Sequence, residues 1–219
     1  MNSEKRQEKI DKTLFFKQPT LGLFLENIHD SHNLSAIVRT CDGVGLLELY
    51  YTHHDNAHFR THKTITQGAH RWVNRFKIDE EQKCQFLKQK QKEGFQVVAT
   101  HLDENAISFR DVDYTLPTIM IVGNEKEGVS PELRMIADKT ITIPMKGMVQ
   151  SLNVSVATAL VLYEAQRQRE SKGMYETPQL SKQSRTEIKK GWIYRDTVAR
   201  RSKGRIALKE ENPYHDKHQ

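Results

Sequence analysis

Short apolar runs alternate with longer amphipathic stretches through most of the chain. Residues 21–26 (LGLFLE), 46–51, 73–78, 95–100, 117–122 (PTIMIV) and 140–144 read as strands, rich in β-branched and aromatic residues and bounded by polar or turn-forming positions. Between them, residues 33–41 (NLSAIVRTC), 79–93 and 131–137 carry helical spacing. In the first of these helices Leu34, Ile37 and Val38 face inward and Asn33 stands at the cap; the second is strongly charged and ends at Gly94. Strands alternating with helices predict an α/β fold, a mostly parallel sheet with helices on both faces. In such sheets ligands sit beyond the carboxyl ends of the strands, which singles out loops 27–33, 100–104, 123–128 and 145–153.

The last strand leads into an unusual segment. Its β-branched alternation stops at Pro144, which cannot donate to a sheet ladder, and a loop with Gly147 at its turn follows. From Val154 through Val156, Ala157, Ala159, Leu160, Val161 and Leu162 the apolar residues are too continuous for a solvent-facing helix. They predict a helix buried over most of its circumference. Gln150, Ser151, Asn153 and Ser155 interrupt this apolar setting. Such residues cap helices, and the free N–H groups beside them can also bind an anion or a carboxylate.

Charge separates the ends from the middle. Of the net +6, residues 182–209 hold ten Lys/Arg against two acidic residues and residues 1–20 five against three, whereas 21–181 hold 18 against 20. A basic arm on a nearly neutral globule is the footprint of a polyanion binder, with nucleic acid the first suspect and an acidic membrane surface the second. In that arm Lys189, Lys190, Arg195, Arg200 and Arg201 are interleaved with Trp192 and Tyr194. Cations hold phosphates, while aromatics either stack on bases or pack the arm onto the body. Residues 3–16 read as a short accessory helix with Ile10, Leu14 and Phe15 on one side.

Other classes are disfavoured. No apolar run approaches the roughly 18 residues of a membrane span, and the charged first residues lack an apolar signal core. Cys41 and Cys84, outside any C-x-x-C array, suit a reducing cytoplasm. There is no P-loop and no G-x-G-x-x-G after a strand, so neither an NTPase nor an ordinary dinucleotide fold is supported. His54, His58 and His62 recur at i, i+4 and i+8, a spacing that resembles a metal site. They could share one helix face, but Asp55 and Arg60 interleave them and no partner ligands accompany them, so no metal is expected and the histidines read as a solvated or RNA-facing helix side.

Three stretches fall together in the loops beyond the strand ends: N-L-S-A-I-V-R from Asn33 to Arg39, with Gly43 and Gly45 beyond; I-V-G-N-E-K-E-G-V around Gly123, Glu125 and Gly128; and I-P-M-K-G-M-V-Q-S-L-N-V-S-V-A around Ser151 and Asn153. In this order they resemble the three signature motifs of the SpoU (TrmH) family of RNA ribose 2′-O-methyltransferases. The match spans about residues 21–169, and A-T-H-L, D-V-D-Y and L-Y-E-A-Q-R-Q-R are similar to its tRNA-modifying branch.

The resemblance implies a SPOUT-like fold whose C-terminal segment forms a deep trefoil knot, which pattern alone would not predict. It implies three regions: a basic helical extension at 1–20, a methyltransferase domain at 21–170 and a basic RNA-binding extension at 171–219. It implies S-adenosylmethionine as cofactor, held by Thr100, Leu102, Val122, Gly123, Ile143, Met145, Ser151 and Leu152, although Met145 and Met148 by residue type read as packing. The catalytic set is Arg39, Asn33, Glu125, Ser151 and Asn153, and RNA contacts are assigned to Arg39, Arg167, Arg169 and the cations of the arm. A guanidinium is a poor base, so Arg39 is expected to hold a phosphate and stabilise alkoxide charge. Asn33 is expected to position Arg39 or the ribose as well as to cap, and Glu125 to fix a sulfonium or guanidinium, or to pair with Lys126 in solvent. The implied protein is a cytoplasmic homodimer, joined through the knot region, that methylates a guanosine ribose in tRNA, guanosine 18 of the D-loop by branch. The alternatives are rRNA, a tRNA anticodon nucleotide, or an inactive RNA-binding protein of the same fold.

Overall fold

The computed structural model describes residues 4–53, 61–103 and 105–201. Two compact units are present: Gln18–Gly173, and a second formed by Met1–Lys17 with Met174–Gln219. In chain order the strands are β1 (Gln18–Glu26), β2 (Leu46–Thr52), β3 (Asn74–Lys77), β4 (Gln96–Thr100), β5 (Ile107–Ser108), β6 (Thr118–Val122) and β7 (Lys139–Thr142). The helices are α1 (Glu4–Phe15), α2 (Ser31–Gly43), α3 (Lys63–Thr66), α4 (Lys83–Lys92), α5 (Pro131–Ile136), α6 (Val154–Ser171) and α7 (Lys182–Arg201).

All seven strands join one sheet in the order β3-β2-β1-β6-β4-β7-β5, and every pairing is parallel. Side chains alternate across it as the pleat requires. Leu21, Leu23 and Leu25 of β1, Val98 of β4 and Met120 and Val122 of β6 point to one face, where Ile37, Val38 and Cys41 of α2 and Val161, Leu162 and Ala165 of α6 cover them. Phe24, Val97, Ala99, Ile119 and Ile121 point to the other, against Leu87 of α4 and Leu133 of α5. Because all strands run the same way, β1, β4, β6 and β7 end on one side. β5 escapes the sequence pattern because two residues are too few to show alternation. The charged 79–93 stretch divides into a 3-10 turn at Glu80–Gln82 and α4.

Several expectations are corrected. The cap of α2 is Asp30, whose carboxylate accepts from His32 N at 2.7 Å, a bond that holds its pKa below the usual carboxylate range. Asn33 lies inside the helix and is buried. α6 is not buried around most of its circumference: Val156, Leu160 and Tyr163, one face at i, i+4 and i+7, are 47%, 42% and 52% exposed. Met148 is wholly exposed and packs nothing. His62 precedes α3 in extended backbone, and His54 and His58 lie outside the described residues.

Arg169 is the largest correction. It is fully buried, and all five N–H groups of its guanidinium have acceptors. Nε donates to Tyr114 O at 2.8 Å, Nη1 to Gln18 Oε1 at 3.2 Å and Thr20 Oγ1 at 2.9 Å, and Nη2 to Thr20 O at 2.9 Å and Leu116 O at 3.0 Å. The end of α6 is thereby tied to the starts of β1 and β6, away from the strand ends that carry the site, so Arg169 offers no group to RNA.

In the second unit Arg6 Nη2 meets the buried Asp196 at 2.9 Å and Lys189 Nζ meets Asp11 at 2.7 Å. Trp192 is fully buried with the Lys17 ammonium 5.4 Å from its ring, so this aromatic packs rather than stacking on a base, whereas Tyr194 is exposed. Lys190 is exposed and Arg195 half-buried; Arg200 and Arg201 close α7, with side chains outside the described set. Among the described residues no helix is long and apolar enough to cross a membrane.

Candidate active site

Beyond the ends of β4, β6 and β7 lies a cavity of about 530 Å³, within the size range of small-molecule sites. Thr100, Leu102, Val122, Gly123, Ile143, Met145, Ser151 and Leu152, dispersed over some fifty residues of sequence, all line it, as do Glu125 and Asn153. His101, Asn124, Gly128 and Gln150 also line it; all four fall in the loops singled out from the sequence, but none was among the assigned cofactor positions. Leucine, valine and isoleucine side chains give one part of the wall an apolar character; loop backbone, small polar groups and His101, Glu125, Lys126 and Glu127 give the rest.

Backbone proximity shapes this wall. A Cβ at Gly123 would lie 2.1 Å from the carbonyl carbon and oxygen of Gly128, so nothing larger than glycine fits. Gly128 has φ +70°, which returns the loop toward α5. Asn124 clamps the turn: its Oδ1 accepts from Lys126 N at 2.8 Å, its carbonyl accepts from Gly128 N at 2.8 Å, and its Nδ2 donates to Asn27 O at the end of β1 at 3.0 Å. An asparagine next to a loop glycine is the signal that would have found it.

The loop is anchored from below by a charge cluster around the buried Lys83 and Glu26, with Glu80 half-buried and Glu132 exposed. Lys83 Nζ lies 2.7 Å from Glu26 and 2.6 Å from Glu132 and also contacts Glu80, while Glu26 Oε2 accepts from Ser130 N at 2.8 Å. Burial alone would lower the lysine pKa, but the hydrogen bonds to Glu132, Glu26 and Glu80 outweigh it and raise it. These three carboxylates have the proximity of a metal site, yet the ammonium already stands among them.

The three motifs meet in one hydrogen-bond chain. Asn33 Nδ2 donates to Glu125 Oε1 at 2.8 Å, and Asn153 Nδ2 donates to Asn33 Oδ1 at 3.1 Å. Asn153 Oδ1 accepts from Ser155 N at 2.9 Å and from Ser155 Oγ at 2.6 Å, which caps α6. A backbone donor at one end and a carboxylate at the other fix both amide orientations, since reversing either would set donor against donor or acceptor against acceptor. Glu125 therefore contacts neither a guanidinium nor Lys126 in the described contacts, but orders Asn33.

Arg39 is exposed on α2, its Nη1 3.5 Å from Ile65 O, and is not among the cavity-lining residues. Arg167 is exposed and paired with Glu164 at 2.7 Å. His101 lines the cavity in contact with Arg134, and burial, then the arginine charge, lowers its pKa below the usual histidine value.

The family model described as SpoU rRNA Methylase matches residues 20–163. Over 200 residues the chain is 50% identical to the tRNA (guanosine(18)-2′-O)-methyltransferase of Aquifex aeolicus, covering 91% of this chain and 94% of that one. It is 43% identical over 171 residues to the protein of the same description from Escherichia coli K12, covering 78% and 73%. The crystal structure of the A. aeolicus TrmH/SpoU tRNA modifying enzyme matches with a TM-score of 0.84 at 52% identity, covering 88% of this chain and 97% of that one. AviRb from Streptomyces viridochromogenes, solved in complex with AdoMet, matches with a TM-score of 0.61 at 28% identity, covering 68% and 60%. With the motifs joined at one cavity and the family model covering most of the sheet, the chain belongs to the SpoU methylase family.

Proposed function

We propose that the chain transfers a methyl group from S-adenosylmethionine to the ribose 2′-hydroxyl of a guanosine in tRNA, guanosine 18 of the D-loop. The Glu125–Asn33–Asn153 chain at the cavity carries this reading, because it joins all three motifs at one place. Relatives described as acting on guanosine 18 across nearly the whole chain support the substrate.

The residues present fit the cofactor. Leu102, Val122, Ile143 and Leu152 offer apolar surface, and the close Gly123–Gly128 approach leaves loop backbone to face a ligand. When bound, the cofactor supplies an electrophilic methyl on a sulfonium. The protein then has to align the 2′-hydroxyl and assist loss of its proton, with alignment the larger contribution. Asn33 and Asn153 hold fixed amides at the motif junction, and Ser151 stands at the cavity wall. Arg39, a permanent cation, holds a phosphate and stabilises the developing alkoxide, while the proton passes to a phosphate oxygen or water.

Arg39 lies outside the single-chain cavity, and the exposed Val156–Leu160–Tyr163 face of α6 favours a homodimer that completes the site. The same reading includes a trefoil knot formed by the segment after β7, and RNA contacts from Arg167, Lys190 and the cations of α7. Such an enzyme works in the cytoplasm, where tRNA is its substrate.

Incubation with labelled cofactor and total RNA, followed by mapping of the modified nucleotide, tests the assignment. Label at guanosine 18 of tRNA, lost in Arg39→Ala, is expected; label confined to rRNA would overturn it.

A further inference from the structure

Two histidines outside the cavity stand at helix starts, His32 in the first turn of α2 and His62 at the N-cap of α3, and capping accounts for their backbone but not for the stacking of their rings. The rings of His32, at the start of α2, and His62, just before α3, stack with centroids 4.3 Å apart and planes 26° apart, and both residues are exposed. His32 presents 66% of its side chain to solvent. Several groups fix the pair. Asp30 Oδ1 lies 3.3 Å from His32 Nδ1, Ser31 Oγ is 2.8 Å from His62 Nε2, and His62 N donates to Ser35 Oγ at 2.7 Å, which itself donates to Ser31 O at 2.6 Å. An exposed side chain ordinarily keeps its rotamer freedom, because fixing it costs entropy. Here Asp30 and Ser31 each contact one of the two surface rings, and Ser35 holds the backbone that carries the second.

The position of the pair indicates its use. His32 adjoins Asn33, the middle member of the chain linking Glu125 to Asn153. On α2, His32 and Arg39 stand seven residues apart, hence on the same face and about 10.5 Å apart along the axis. Arg39 reaches the Ile65 carbonyl, so α3 flanks both ends of this strip. A π-surface at one end of a strip, a cation at the other and the junction of the three motifs beside it match single-stranded RNA, whose unstacked bases lie on aromatic or histidine rings while phosphates meet arginine.

We propose that the His32–His62 stack is a docking face for an unstacked base of the RNA, one neighbouring the methylated nucleotide, with Arg39 on the adjoining phosphate. The proposal rests on the reading of the chain as a tRNA ribose methyltransferase and names the positioning surface of that same site. The two histidines act on the substrate's placement and exchange no proton with it.

The test uses the full-length protein, tRNA with 2-aminopurine at each nucleotide flanking the target in turn, and the variants His32→Ala, His62→Ala and His32→Phe. Wild type is expected to quench one of the two probes on binding. Both alanine variants should lose the quench and raise KM for tRNA roughly tenfold, as loss of one base–aromatic stack does, with kcat and cofactor affinity close to wild type. His32→Phe should restore quench and KM. An abasic nucleotide at the quenched position should cost wild type as much as His32→Ala does, and the two together no more. That comparison stands even if an alanine variant is less stable. Alanine variants with wild-type KM and quench would overturn the docking face while leaving the reaction intact. A wild type that transfers no methyl to tRNA would instead overturn the reaction itself.

Discussion

Replacing Arg169 separates a structural role from an RNA-binding one, because the two roles make opposite demands on the substituent. A phosphate-binding arginine at a surface tolerates lysine in part. The socket between Gln18, Thr20, Tyr114 and Leu116 does not, since a lysine has at most three donors for five acceptor contacts and cannot spread them in a plane. Arg169→Leu removes all five bonds. Summing them at about 1.5–3 kcal/mol each would overshoot, because burying the guanidinium itself costs several kcal/mol. What remains is a group of buried neutral acceptors without donors, each costing about 1–3 kcal/mol and partly offset by no longer burying a charge, for a net loss of about 4 kcal/mol. For a chain of this size about 4 kcal/mol corresponds to a drop in Tm of roughly 8–16 °C. Arg169→Lys should fall between. Calorimetric melting gives the stability change. Steady-state transfer to tRNA at 20 °C, where the variants remain folded, should show KM within about twofold of wild type. An unchanged Tm together with a several-fold rise in KM would refute the assignment and return Arg169 to the RNA-binding set.

Asn33→Ala should lower single-turnover methyl transfer by roughly 100-fold while leaving cofactor affinity near wild type, because it removes the amide that joins Glu125 to Asn153. Gly123→Ala should weaken cofactor binding at least about tenfold by calorimetry, since its Cβ would meet the Gly128 carbonyl at 2.1 Å and force the loop open. Lys83→Met leaves the carboxylates of Glu26, Glu80 and Glu132 without the cation between them and should cost about 3–5 kcal/mol in denaturant unfolding; Glu26→Gln in that background should recover part of it. For His101 the sign follows from its lowered pKa: the unfolded chain takes up the proton first as pH falls. The stability contribution is therefore intact above the ordinary histidine value and decreases as pH drops from there to the folded pKa. In an NMR titration the His101 ring should shift upward in pKa in Arg134→Ala.

The sheet and the loops that build the site were legible because β1, β4, β6 and β7 are long enough, or apolar enough, to show their period, and because glycine and small polar residues cluster where the chain leaves them. The eight cofactor-lining positions came from the family resemblance, not from spacing, and they gather around one cavity. What stayed hidden depends on partners distant in the chain. Arg169 reads as a surface cation in an R-Q-R run, and only the approach of Thr20 and Leu116 makes it a buried socket. Asn33 reads as a cap because asparagine usually caps, but Asp30 stands nearer the helix start and takes that place. Glu125, one residue from Lys126, finds its partner 92 residues away in Asn33. The exposed apolar face of α6, Val156, Leu160 and Tyr163, was hidden as well, because an unbroken apolar run does not show which side of a helix faces solvent.

Methyl transfer to a tRNA differing from its control at one atom tests the central claim most directly. Wild type is expected to transfer one methyl per tRNA with a guanosine ribose at position 18, and none when that nucleotide is 2′-deoxyguanosine, with both RNAs bound equally well. Equal incorporation into the two RNAs would place the methyl elsewhere and contradict the account.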